Sequence, residues 1–422
     1  MIKIINCKNK NYKKKLIAFL ELRRSGKTVD TSVVPKILKD IKKNKQKAVL
    51  KWEKRLSNNK KIKTSKNEIN RSIKNLDPKI KKAIDFAYLR IFKFHSLQKS
   101  KNIKFVDKYK NKIEYKIIPL QSVGIYVPSN LPSTLLMCAV PAQIAKVKKI
   151  VVANSRINGK LNPAVMYAAK KCGVSEVITC SGAQAIGNLA YIQNVNKIVG
   201  PGSDYVTKAK QLVFGKVGTE SMVAGPSEIL VLADKNTDIN QIGTSMVSQS
   251  EHGYESQSIL VTKYKEIIDK VQKNILYNLR NLPRKKIALK SLKKHGLIIL
   301  CKNDKQIIEV INECAPEHLE VNLSNHKKYL SKIFNAGSIC IGPYTPMAST
   351  DYGLPGNNHT LPTMGSAKFS SGLNLNEYYK KISYVTLTKT GIDKLGKYVK
   401  YLSDFEGLEG HSISIKSRMR RK

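Results

Sequence analysis

Apolar residues recur at three- and four-residue steps in two early stretches, "SVVPKILKDIKKNKQKAVLKWEKRL" from position 32 and "PKIKKAIDFAYLRIFKFHSLQK" from 78. That spacing lines one face of an α-helix, so residues 30 to about 100 read as a helical layer, followed by a strand-like "KIEYKIIPL". From about 120 to 235 the texture changes. Short apolar runs ("SVGIYVP", "KKIVVAN", "EVITCSG", "NKIVGPG", "SEILVLAD") alternate with Ala-rich stretches ("TLLMCAVPAQIAKV", "NPAVMYAAKKCG", "AQAIGNLAYI"). Buried strands separated by crossover helices predict a parallel sheet covered on both faces. A second, less regular α/β stretch runs from 236 to about 375, with "QSILVTK", "HGLIILC" and "AGSICIG" as strands. Beyond "SSGL" at 370–373 the pattern predicts a small appended segment of helical character.

The length of 422 residues allows two or more domains, and 41% hydrophobic with 25% charged residues describes a soluble globular chain. The net charge of +46 invites a nucleic-acid reading. Its Lys-rich residues are spread over nearly every predicted helix, however, without the Arg clusters and interleaved aromatics of a base-binding surface. They read as solvated faces, with no specific nucleic-acid partner. Seven scattered cysteines without a C-x-x-C pair point to a reducing compartment and away from a disulfide framework. No apolar run approaches the roughly 18 residues of a membrane span, and the N-terminus lacks a signal-peptide pattern. A cytoplasmic location is expected.

Histidine is scarce, at seven residues, so each can be weighed. His295 and His326 read as ordinary surface residues. In "DINQIGTSMVSQSEHG", read as a helix ending at Gly253, Gln249 and His252 share one face of the last turn. This is either a helix-terminal histidine near the dipole or a preset metal bite. Glu317 and His318 are adjacent bases that titrate in different ranges. Asp351 and His359 flank "DYGLPGNNH", an irregular loop, and Glu406 and His411 close "EGLEGH". Gln249, His252, Asp351 and His411 form a mixed N/O set that suits Zn2+, with Mn2+ or Co2+ as substitutes, provided the fold brings them together.

The segments "AGPSEILVLAD", "SQSEHG", "APEHLEV", "DYGLPGNNHTLPT" and "EGLEGH", in that order, resemble the histidinol dehydrogenase family. So do "FHSLQK", "VGIYVP", "GAQAIGNLA" and "GPGSDYV", and the likeness covers roughly residues 85–411. The resemblance implies an α/β fold of two Rossmann-like, incompletely wound domains with small helical terminal segments. Its expected parts are an N-terminal arm (1–25), a first α/β domain (26–125 plus 230–375), a second (126–229) and a C-terminal helical tail (376–422) exchanged with a partner subunit. It further implies a homodimer that oxidises L-histidinol to L-histidine through L-histidinaldehyde, with two NAD+ and one Zn2+ per subunit, in histidine biosynthesis. By this likeness Gln249, His252, Asp351 and His411 are zinc ligands, His411 coming from the partner. Glu317 and His318 are catalytic, with His318 as general base and Glu317 activating water. Ser227, Glu406 and His359 contact substrate together with His318 and the zinc ligands, and Tyr126 and Gln184 contact NAD.

The chain departs from the family pattern in "YVPSNLPST", a shortened loop without glycine, in Ser203, in "ESMV" before "AGPSE" and in Pro346-Met347. These changes cluster where NAD is expected. They keep open the alternative of a zinc-binding relic with impaired NAD binding and little turnover, beside that of a basic nucleic-acid-binding protein.

Overall fold

The computed structural model describes residues 2–24, 29–128, 130–222 and 225–419. Met1, 25–28 at the expected arm boundary, Ser129 of the shortened loop, Val223 and Ala224 before "GPSE", and the last three residues lie outside the described residues.

Among the described residues the strands are β1 (Lys3–Asn6), β2 (Ile103–Val106), β3 (Lys112–Pro119), β4 (Ser122–Val127), β5 (Lys149–Asn154), β6 (Glu176–Ile178) and β7 (Lys197–Val199). They continue with β8 (Gly218–Thr219), β9 (Glu228–Ala233), β10 (Gln257–Thr262), β11 (Leu297–Leu300), β12 (His318–Asn322), β13 (Ser338–Ile341) and β14 (Tyr379–Thr386). Two parallel sheets result, a six-stranded one in the order β1-β11-β10-β9-β12-β13 and a five-stranded one in the order β6-β5-β4-β7-β8. Both lie in one compact unit, Met1–Gln98 with Gln121–Tyr378.

The central strands are buried on both faces, which is why they read as unbroken apolar runs: all six residues of β9, "EILVLA", are buried. Full burial of each of Leu230, Val231 and Leu232 contributes roughly 1.5–3 kcal/mol. The helix Val33–Ser57 buries Val34, Ile37, Leu38, Ile41, Val49 and Trp52 in one core with Val151, Ala153, Ile178 and Ile198 of the five-stranded sheet. The sequence places that helix with the strands of 230–375; its apolar stripe instead packs on the other sheet. Within the expected arm, β1 pairs in register with β11.

The second compact unit, Lys99–Leu120 with Tyr379–Lys422, is an antiparallel sheet β14-β3-β2 with the helices Lys389–Phe405 and Glu409–Lys416. The expected helical tail therefore begins with a strand. "YKKISYVT" is rich in β-branched and aromatic residues, and it pairs over eight residues with β3.

Candidate active site

The expected catalytic pair sits where a helix gives way to a strand. The helix Asp304–Cys314 ends in Ala315, held in the left-handed region at φ 46°, a conformation that costs a non-glycine residue about 1–3 kcal/mol. Pro316 and Glu317 follow, and His318 opens β12. The backbone here is clamped: Gly337 N–H donates to Pro316 O and Ser338 N–H to Glu317 O, both at 2.9 Å. A Cβ on Gly337 would stand 2.6 Å from Glu317 O, so only glycine permits this approach. β9 lies beside β12 with Ile229 opposite His318, which brings Ser227, just before β9, to the same amino edge of the sheet.

Gln249 lies in the last turn of the helix Ile239–Ser250, whose first turn is capped by Asp238. That helix ends at Ser250, three residues short of Gly253, and His252 sits in the turn beyond, its N–H donating to Gln249 O at 3.3 Å. The turn is stiffened by buried hydroxyls: those of Ser250 and Ser258 both donate to Met246 O, at 2.7 and 2.8 Å. Asp351 ends the helix Met347–Asp351, whose first N–H is bound by buried Glu320 at 2.6 Å.

Asp351 gathers three imidazoles. Its carboxylate oxygens lie 4.0 Å from His252 Nε2, 3.7 Å from His318 Nε2 and 4.0 Å from His359 Nδ1. His359 Nδ1 also meets Asp351 O at 2.7 Å; a carbonyl only accepts, so Nδ1 carries the proton and Nε2, 3.4 Å from Thr134 Oγ1, is the acceptor. The loop after Asp351 is pinned from behind by Asn358, which donates to Met137 O at 2.7 Å and lies 3.4 Å from buried His95 Nε2.

Burial dominates the electrostatics. It pushes Asp351 up to about 6, His252 opposing, and raises Glu317 well above the ordinary carboxyl range. Burial, aided by the neighbouring imidazoles of His359 and His252, pushes His318 down to about 3, and burial takes His359 down to about 4. At neutral pH both imidazoles are uncharged acceptors. Gln249 Oε1 and His318 Nδ1 are among the buried side-chain atoms left without a hydrogen-bond partner.

The expected NAD contacts stand on the five-stranded sheet. Tyr126 lies at the carboxyl end of β4, its hydroxyl accepting from Gly182 N–H at 3.3 Å. Gln184 is buried in the helix Gly182–Tyr191 and donates to Glu53 at 2.7 Å. Gly200, at φ 111°, follows β7, and a Cβ there would stand 2.2 Å from Tyr126 O. The strand order reverses between β4 and β7, the place where doubly wound sheets bind dinucleotides.

The histidinol dehydrogenase family matches residues 22–419. A histidinol dehydrogenase of Pelagibacter ubique is 51% identical over 429 residues, spanning 100% of both chains. The chain belongs to the histidinol dehydrogenase family. Histidinol dehydrogenase 1 of a Nostoc species is 41% identical over 347 residues, covering 81% of this chain and 80% of that one. The crystal structure of histidinol dehydrogenase from Elizabethkingia anophelis matches at a TM-score of 0.86 and 34% identity, over 92% of this chain and 91% of that one. The parallel sheets and covering helices are thus the histidinol dehydrogenase fold.

Of the residues expected from the family likeness, His252, His318, Glu317, His359 and Asp351 come together. Glu406 and His411 belong to the second unit, where both are exposed. Among the described residues no three His, Cys, Asp or Glu side chains are grouped to hold a metal ion. The three ligand candidates of the first unit include a glutamine, whose oxygen is the unpartnered one. Two ligands about 2.1 Å from a tetrahedral zinc stand about 3.4 Å apart, so the 4.0 Å between His252 and Asp351 needs only a small closure. The residues present fit a zinc ion.

His295, expected at the surface, is buried and lies 2.9 Å from Glu255 Oε2, because it falls on the apolar stripe Ala288, Ser291, Leu292 of its helix. Sequence reasoning also passed over Arg23 and Glu228. Arg23 shares the buried stripe of Tyr12, Leu16 and Leu20, and Glu228 opens an otherwise apolar strand; a charge in each apolar pattern was the signal available.

Proposed function

We propose that the chain oxidises L-histidinol to L-histidine by way of L-histidinaldehyde, the last step of histidine biosynthesis, as a cytoplasmic homodimer using zinc and two NAD+ per substrate. The observation that supports it most is the amino edge of the six-stranded sheet, where Asp351 gathers three imidazoles and Gln249 offers a buried, unpartnered oxygen. Gln249, His252, Asp351 and the partner subunit's His411 would hold one zinc ion per subunit, a Lewis acid that fixes the substrate's amino and imidazole nitrogens. NAD, held with the help of Tyr126 and Gln184, supplies the hydride acceptor at each oxidation.

The chain's own side chains handle the protons. Neutral His318 accepts the proton of the carbinol hydroxyl as the alcohol becomes the aldehyde. Glu317 takes a proton from the water that adds to the aldehyde, and burial makes its carboxylate a stronger base than an exposed glutamate. His359, its tautomer fixed by Asp351 O, offers Nε2 to a donor on the substrate, with Ser227 and the partner subunit's Glu406 as further contacts. Burial of Glu317 and His318 limits side reactions of the aldehyde between the two steps.

Zinc-loaded protein given histidinol and NAD+ should form two NADH per histidinol, and His318→Ala should lower the rate about 10²–10⁴-fold. A folded, zinc-loaded preparation that forms no NADH would overturn this reading.

A further inference from the structure

We propose that Arg23 and Glu228 are positioning residues for Glu317, holding one of its carboxylate oxygens so that the other is presented to the aldehyde. The proposal rests on the role given to Glu317 above. Glu228 and Glu317 are 4% and 7% exposed and are bonded reciprocally: Glu228 N–H donates to Glu317 Oε2 at 2.7 Å, and Glu317 N–H donates to Glu228 Oε2 at 3.3 Å. The other oxygen of Glu317, Oε1, lies 3.9 Å from His318 Nε2. One oxygen is thus tethered to the start of β9 and the other faces the reacting groups.

Glu228 is itself held from two further directions. Its Oε1 accepts from Met364 N–H at 2.8 Å and forms an ion pair with Arg23 Nη1. Arg23, 3% exposed, donates its remaining groups to backbone carbonyls, Nε to Glu255 O at 2.7 Å and Nη2 to Pro226 O at 2.6 Å. A guanidinium bound on three sides has no rotamer freedom left, and it fixes the strand start that carries Ser227 and Glu228. Two buried carboxylates share this one cation, and the cation is bonded to Glu228. Glu317 therefore keeps an oxygen uncommitted to any cation, which is what a proton acceptor needs. A buried ion pair does little for stability relative to apolar side chains of similar volume, so its presence on an apolar stripe calls for another role.

The test separates the two oxidations. Histidinaldehyde with NAD+ reads the second step alone, and the first NADH formed on rapid mixing of histidinol with NAD+ reads the first. In Glu228→Gln, which keeps the size of the side chain and one acceptor oxygen but loses the charge and the second acceptor, the second step should fall about 10–100-fold while the first changes less than about threefold. Arg23→Met should behave likewise, and Arg23→Lys should recover part of the loss. If Arg23→Met does not fold, Glu228→Gln, nearly isosteric, decides the matter. Equal loss in both steps, or loss in neither, overturns the proposal; absence of NADH from the unsubstituted chain overturns the reading of Glu317 beneath it.

Discussion

On the five-stranded sheet the positions we propose for NAD, Tyr126 and Gln184, stand at the carboxyl edge, where strands end and helices begin; on the six-stranded sheet Ser227, Glu317 and His318 stand at the amino edge, where helices end and strands begin. The difference has an electrostatic meaning. A carboxyl edge presents helix N-termini, partial positive charges that suit the phosphates of a dinucleotide. An amino edge presents helix C-termini, partial negative charges that suit a cation. Gln249 closes the helix Ile239–Ser250 with His252 in the turn beyond, Asp351 closes Met347–Asp351, and Glu317 follows Asp304–Cys314. One chain thus offers two edges of opposite polarity to ligands of opposite charge.

The comparison breaks most visibly at His252. His252→Ala should remove zinc and turnover together, with a rate loss of about 10²–10⁴-fold, while the melting temperature of the metal-free protein shifts little, since this side chain is 46% exposed and supports no core. Chelation of the unsubstituted enzyme should have the same effect on rate, reversed by added zinc. Metal analysis beside an NADH assay checks this. Zinc retained at one per subunit in His252→Ala would show that the amino edge is not the cation site.

Much of this arrangement is legible in the sequence because period and texture survive folding. The runs that become β5, β9 and β11 hold four or more consecutive apolar residues, as suits strands buried on both faces. Two kinds of feature are not legible. Strands at a sheet edge or in the smaller unit are short or half-exposed, so β1 and β14 leave weak patterns. Distance in three dimensions is the other: nothing in spacing brings Asp351 to within 3.7 Å of His318, and the metal reading of Gln249 and His252 depended on the family likeness. A mid-stripe charge such as Arg23 was legible in kind, but its partner Glu228, 205 residues away, was not.

A smaller effect tests whether the carboxyl edge acts independently. Gly200→Ala forces a Cβ toward Tyr126 O at 2.2 Å and asks alanine to hold φ 111°, which costs about 1–3 kcal/mol of stability. The KM for NAD+ should rise about tenfold, as about 1.4 kcal/mol implies, with zinc content unchanged. Zinc loss in this variant would mean that the two edges are not separable.

The smallest effect comes from a carboxylate at neither edge. Glu68 sits in the first turn of the helix Lys66–Lys74, where Ser65 accepts from its N–H, and pairs with Arg156 at 2.7 Å and Lys61 at 2.8 Å. The Arg156 guanidinium, with Lys61, holds its carboxyl down to about 2. A lowered folded-state value means that the unfolded chain binds the extra proton first as pH falls. The stabilisation is complete above the ordinary carboxyl range and is lost as pH drops toward about 2. Glu68→Gln should cost about 1 kcal/mol or less at pH 7, and its melting temperature should fall less steeply than that of the unsubstituted protein between pH 5 and pH 3. Neither zinc content nor the KM for NAD+ should move. A changed KM would connect this helix to the carboxyl edge through Arg156, which lies two residues beyond β5, and would end the claim that each edge is set by its own helix termini.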